Sequence, residues 1–149
     1  MRNGAGIALP KASFSFPISA VKVIRLAVLG STGSIGRQTL DVVRSLPSRF
    51  NVIALAAGNN VTLLEEQVRE FRPRFVCAGR EADYLMARGP GGGLPVRWAE
   101  MEEMAAHPDV DLVVVATVGA AGLGPTLAAI GARKAVALAN KEVLVMAGH

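Results

Sequence analysis

An apolar run from Val23 to Leu29 passes directly into Gly30-Ser31-Thr32-Gly33-Ser34-Ile35-Gly36 and then into the helix-period stretch Arg37-Gln38-Thr39-Leu40-Asp41-Val42-Val43. A strand that turns on glycines into a helix is the opening of a βαβ unit, because glycines permit the tight turn and close helix-on-strand packing. The same turn brings backbone N–H groups and the positive end of a helix dipole to one point, which is where a phosphate binds. The spacing G-x-x-G-x-x-G is one residue longer at its first gap than the commonest dinucleotide fingerprint. No Gly-Lys-Ser/Thr closes the loop, which excludes a nucleoside-triphosphate P-loop. Gly30, Thr32, Gly33, Ser34, Ile35 and Gly36 are therefore candidates for holding the diphosphate of a dinucleotide.

Beyond this segment, short apolar runs alternate with helical ones. Strands are predicted at Val23–Leu29, Asn51–Ala56, Phe75–Ala78, Leu112–Ala116 and Ala135–Leu138, with helices at Ser34–Leu46, Val61–Phe71, Ala82–Ala87, Ala99–Ala105 and Leu123–Gly131. Strands this apolar are covered on both faces, so the fold class is α/β, a Rossmann-like doubly wound, mainly parallel sheet with helices on both faces. Thr62 with Glu65 reads as a cap of the second helix, and Glu65 or Glu66 with Arg69 as its i,i+4 support. Pro47 and Pro73 stop helices. The helix Leu123–Gly131 is almost wholly apolar and is predicted to be buried. Gly89-Pro90-Gly91-Gly92-Gly93 reads as a connector, Cys77 as a buried strand residue, His107-Pro108 as a turn and Trp98 as a packing aromatic.

Composition narrows the function classes. The 149 residues are 51% hydrophobic and 5% aromatic, enough for one domain. One cysteine rules out an intrachain disulfide, and with two histidines it leaves no Cys/His zinc set. No apolar run reaches the ~18–20 residues of a membrane helix, and a cytoplasmic setting is expected. The net charge is +4, yet no acidic residue precedes Asp41, and the arginines are scattered without stacking aromatics, which argues against nucleic acid and for a small phosphorylated ligand. Residues 1–21, rich in Gly, Ser and Pro, read as a flexible extension ahead of a domain at 22–149, with plastid-type targeting of residues 1–20 as a weaker second reading.

The second strand ends in Ala57-Gly58-Asn59-Asn60, where an NAD-binding chain would carry a carboxylate for the ribose 2′-OH. Its absence favours NADP. The two amides can donate to phosphate oxygens, and they can equally make a turn and cap the next helix. The cation expected nearest to them is Arg37, in the first turn after the glycines. The fifth strand ends in Asn140-Lys141-Glu142, an amide, a cation and a carboxylate at the edge where open α/β sheets bind ligands, or simply a cap for a following helix.

Taken together, LGSTGSIGRQTLDVV, AAGNN, VGAAGLGPTLAAI and ALANKE resemble the 1-deoxy-D-xylulose-5-phosphate reductoisomerase family, in order and over nearly the whole chain after Val21. The resemblance implies that Thr32, Gly33, Ser34 and Ile35 meet the diphosphate of NADPH, that Gly58, Asn59 and Asn60 meet its 2′-phosphoadenosine end, and that Asn140 and Glu142 stand on its nicotinamide side. Lys141 would touch the sugar-phosphate substrate. Many members place a basic residue where this chain has Asn59. The implied reaction rearranges and reduces 1-deoxy-D-xylulose 5-phosphate to 2-C-methyl-D-erythritol 4-phosphate for isoprenoid synthesis. It uses Mg²⁺ or Mn²⁺ in an enzyme expected to be a homodimer. The family's metal ligands and substrate phosphate pocket fall beyond His149, so this chain is expected to bind NADPH at reduced affinity and to catalyse nothing alone. Two other readings compete: a semialdehyde-dehydrogenase type of reductase, which needs a cysteine nucleophile where Cys77 does not sit, and a non-catalytic NADP-binding or redox-sensing module.

Overall fold

The computed structural model describes residues 21–89 and 95–147. The expected extension over residues 1–21, except Val21, and the glycines of the connector after Gly89 lie outside the described residues. The elements run β1 (Ile24–Leu29), α1 (Ser34–Ser45), β2 (Phe50–Ala56), α2 (Val61–Phe71), β3 (Phe75–Cys77), α3 (Glu81–Arg88), β4 (Arg97–Trp98), α4 (Met101–Ala106), β5 (Leu112–Val115), a 3₁₀ turn (Gly119–Gly122), α5 (Leu123–Gly131), β6 (Ala135–Leu138) and α6 (Lys141–Ala147). The strands form one six-stranded sheet, ordered β4-β3-β2-β1-β5-β6, and every pairing is parallel. The strand order reverses between β1 and β5, which opens a crevice at the carboxyl edge of those two strands.

Alternation along β1 shows how both faces are filled. Leu26 and Val28 join Leu40, Val43, Leu64, Val68 and Tyr84 of α1, α2 and α3. Ala27 and Leu29 join Met104, Ala105 and Ala129 of α4 and α5. Successive side chains of a strand point to opposite faces, so a run of apolar residues serves two helix layers at once. The doubly wound α/β architecture predicted from the apolar strands is the one observed. Cys77 is buried in β3, and Trp98 packs against both clusters.

Three predictions need correction. The helix α5 is only half buried: Pro125, Thr126 and Ala129 face the sheet, whereas Leu127 and Ile130 are exposed. It lies beside β6, an edge strand, and no further layer of the described residues covers its outer side. The cap of α2 is Asn60, whose Oδ1 accepts from the Leu63 N–H at 3.1 Å, and Thr62 already lies inside the helix. The amide of Asn60 reaches the third helical N–H that Thr62, two residues on, cannot serve. The Glu65–Arg69 pair does form, at 3.4 Å. The strand β4 was not predicted; two residues are too few to show a period.

No helix of the described residues is long and apolar enough to cross a membrane.

Candidate functional site

The turn after β1 is shaped by its glycines. Gly30 has φ +88°, and a Cβ there would lie 2.5 Å from the Ala116 carbonyl oxygen at the end of β5. No other residue allows the two strand ends to approach this closely. A Cβ at Gly36 would lie 2.1 Å from the Gly30 oxygen, so the first turn of α1 rests directly on the loop. Gly33 differs, since its nearest neighbour would be 3.4 Å away. Its missing side chain leaves space facing outward rather than relieving an internal contact.

Backbone hydrogen bonds pin the loop while leaving donors open. Gly30 and Ser31 N–H both donate to the Ala56 carbonyl at 2.8 Å, and Gly33 N–H donates to Gly30 at 3.1 Å. The first helical bond runs from Arg37 N–H to the Gly33 carbonyl. The N–H groups of Thr32, Ser34, Ile35 and Gly36 take no backbone acceptor among the described residues. α1 also lacks a side-chain cap and has no acidic residue in its first turn. A helix start of this kind presents its free N–H groups and dipole to an anion.

A cleft of about 530 Å³ opens beside this loop, at the reversal of strand order. Gly30, Thr32 and Gly33 form one wall and Gly58, Asn59 and Asn60 another. Ala116, Thr117, Val118 and Ala121, after β5, close the third side. Gly79, Glu100 and Met101 come in from the ends of β3 and β4. Nothing local in the sequence marks these three, because their loops become a wall only when β3 and β4 pair beside β2. The lining is more apolar than polar, as a site for a ring system requires.

Of the residues predicted from the sequence, Gly30, Thr32, Gly33, Gly58, Asn59 and Asn60 are brought together on this cleft. Ser34 lines a separate groove between α1 and α2, Ile35 is exposed and Gly36 is buried beneath the loop. Asn140 is buried, and its side chain is fully engaged. Its Nδ2 donates to the carbonyls of Thr117 and Gly119, both at 2.8 Å, and its Oδ1 accepts from the N–H groups of Glu142 and Val143 at 3.0 and 3.3 Å. Two donors and two acceptor sites are all an amide has. Asn140 thus ties the loop after β5 to the start of α6 and positions its neighbours, while Lys141 and Glu142 stay exposed at the same sheet edge.

Two further residues hold the site in shape. Gln67 of α2 is buried and its Nε2 donates to the Ser31 carbonyl at 2.9 Å, fixing the loop from the helix opposite. Cys77 lines the cleft, and burial pushes its thiol up to about 11, which favours the protonated form at neutral pH. Its place on the cleft corrects the expectation that Cys77 stands away from where a nucleophile of the semialdehyde-dehydrogenase kind would sit.

Arg25 and Asp111 brace the opposite end of the sheet. Arg25 Nε donates to Asp111 Oδ2 at 2.9 Å and Arg25 NH2 donates to Asp111 Oδ1 at 3.0 Å. Asp109 bonds both Arg25 and Arg74.

Comparison with known proteins accords with this geometry. A family model described as 1-deoxy-D-xylulose 5-phosphate reductoisomerase matches residues 26–148. Enzymes of that name from Pelotomaculum thermopropionicum and Porphyromonas gingivalis are 50% and 49% identical over 129 and 128 residues, 83% of this chain in each case. The chain spans about a third of the length of these curated relatives, 33% for both. A crystal structure of a DOX-P reductoisomerase with NADPH, fosmidomycin and magnesium superposes with a TM-score of 0.79 at 42% identity, covering 85% of this chain and 32% of that one. The reductoisomerase from Zymomonas mobilis with NADPH gives 0.77 at 37% identity, covering 85% and 34%.

Proposed function

The chain belongs to the 1-deoxy-D-xylulose 5-phosphate reductoisomerase family, and from that premise we propose that it is the NADPH-binding part of an enzyme converting 1-deoxy-D-xylulose 5-phosphate to 2-C-methyl-D-erythritol 4-phosphate. The observation that carries the proposal is the open set of N–H groups at Thr32, Ser34, Ile35 and Gly36, set beside a cleft with the bare Gly33 on its wall. A diphosphate fits those donors without a cation, through hydrogen bonds and the helix dipole. The adenosine end then lies toward Gly58, Asn59 and Asn60. The nicotinamide end lies toward the loop that Asn140 ties down, with Glu142 at its edge.

When bound, NADPH supplies the hydride for reduction of the aldehyde formed by the rearrangement. The residues of this chain bind and orient. Gly30 lets the ends of β1 and β5 close around the site, Gln67 holds the loop carbonyl away from the phosphates, and Asn140 fixes the helix start carrying Lys141. In this reading the exposed ammonium of Lys141 meets the sugar phosphate at the sheet edge. Support for a phosphate-like substrate comes from the solved relative with fosmidomycin.

Among the described residues no group of three His, Cys, Asp or Glu is arranged to hold a metal ion. Hard divalent cations need several oxygen ligands. The residues present do not fit Mg²⁺ or Mn²⁺, and no step through a metal is assigned to them. We read the chain by itself as competent to bind coenzyme and not to turn over substrate, and the complete protein as a cytoplasmic homodimer.

Fluorescence titration of the chain with NADPH tests the coenzyme assignment. Saturable binding, tighter for NADPH than for NADH, is expected. Equal affinity for both would remove the NADP assignment.

A further inference from the structure

NADPH differs from NADH only by a 2′-phosphate, a group carrying about −1.5 to −2 charges at neutral pH. The turn Gly58-Asn59-Asn60 has no cation to meet it, and the cleft lining contains neither Lys nor Arg but does contain the carboxylate of Glu100. Asn60 Oδ1 is committed to capping α2. Space is available, since no atom lies within 4 Å of where a Gly58 Cβ would be.

The loop after β3 abuts this turn. Gly79 N–H donates to the Gly58 carbonyl at 3.0 Å, and Asn59 Oδ1 lies 3.2 Å from the place a Gly79 Cβ would take. Arg80 is the next residue, ~3.8 Å further along the backbone. Its side chain is 78% exposed and paired with Asp83, Nε to Oδ2 at 2.8 Å and NH2 to Oδ1 at 3.1 Å. An exposed i,i+3 pair at the start of a helix is weak. A phosphate dianion offers the same guanidinium a stronger bidentate partner. Arg37, in the first turn after the glycines, instead lines the groove between α1 and α2 beside Asp41, Glu66 and Glu70.

We propose that Arg80 is the specificity-determining residue for NADPH, swinging from Asp83 to the 2′-phosphate that the Gly58–Asn60 turn leaves without a counter-charge. This rests on the NADPH reading above. It is tested on the full chain by titrating NADPH, NADH, 2′,5′-ADP and 5′-AMP into the unsubstituted protein, Arg80→Ala, Arg37→Ala and Asp83→Asn. Arg80→Ala is expected to weaken NADPH and 2′,5′-ADP by about 10-fold or more, the scale of a charge-assisted hydrogen bond, and to leave NADH and 5′-AMP within about twofold. Asp83→Asn, which releases the guanidinium, is expected to tighten the two phosphorylated ligands by about twofold. NADPH binding that survives Arg80→Ala, an equal loss for NADPH and NADH, or a selective loss in Arg37→Ala instead would overturn the proposal while the coenzyme assignment stood. No NADPH binding by the unsubstituted chain would overturn both.

Discussion

Gln67 Nε2 donates to the carbonyl of Ser31 at 2.9 Å across the interface between α2 and the glycine loop, and both residues are buried. The bond satisfies a carbonyl that would otherwise face a dry interior, and it sets which way the peptide between Ser31 and Thr32 points. It connects a helix packed on the sheet to the N–H groups that receive the diphosphate.

Replacing Gln67 by Leu keeps the volume and removes the donor. The orphaned Ser31 carbonyl is expected to cost about 1–3 kcal/mol of stability, read by urea denaturation. NADPH affinity is expected to fall further than the stability loss explains, because the loop loses its fixed orientation. Unchanged affinity in a folded Gln67→Leu protein would show that the loop is held by its backbone bonds alone.

Glycines in one loop are expected to fail in different ways. Gly36→Ala forces a Cβ to within 2.1 Å of the Gly30 oxygen, so the helix and the loop must separate. Its thermal midpoint is expected to drop sharply or the protein to be insoluble. Gly58→Ala adds a methyl into open space and is expected to leave the melting temperature within a few degrees of the parent. Circular dichroism melts separate the two.

Acid sensitivity should trace to Arg25. The Arg25 guanidinium, through side-chain and backbone hydrogen bonds, holds the Asp111 carboxyl well below the usual carboxylate range, and Arg74 lowers Asp109. A folded-state pKa below the unfolded value of about 3.9 contributes stability above that pH and loses it as pH falls toward the folded value. Arg25→Ala is expected to move acid unfolding to higher pH with little change between pH 6 and 8 in its slope. An unchanged acid midpoint, followed by far-UV circular dichroism, would show these pairs contribute nothing.

The thiol of Cys77, pushed up to about 11 by burial, is expected to resist a disulfide reagent at pH 8 in the native protein and to react at once in urea. Fast native labelling would mean that the cleft floor opens on the labelling timescale.

The sequence made the layered architecture legible because β1, β2 and β5 are short, apolar and spaced by helix-period segments. The glycine loop was legible for a similar reason, since its residue types are required by local backbone geometry. Relationships that depend on pairing across the chain were not. Glu100 and Met101 reach the cleft only through the two-residue strand β4, and Arg25 meets Asp111 across β1 and β5. Asn140 looked like a ligand-facing amide, but both its ends are used inside the fold. Gln67 did leave a signal, a polar residue between Leu64 and Val68 on the buried stripe of α2.

Isothermal titration of NADPH into the chain and into Gly33→Val tests whether the free N–H groups at the start of α1 hold the diphosphate of NADPH. The unsubstituted chain is predicted to bind one NADPH. Gly33→Val is predicted to fold normally, because its Cβ meets no atom closer than 3.4 Å, and to lose that binding. A folded Gly33→Val protein that binds NADPH as tightly as its parent would contradict the claim.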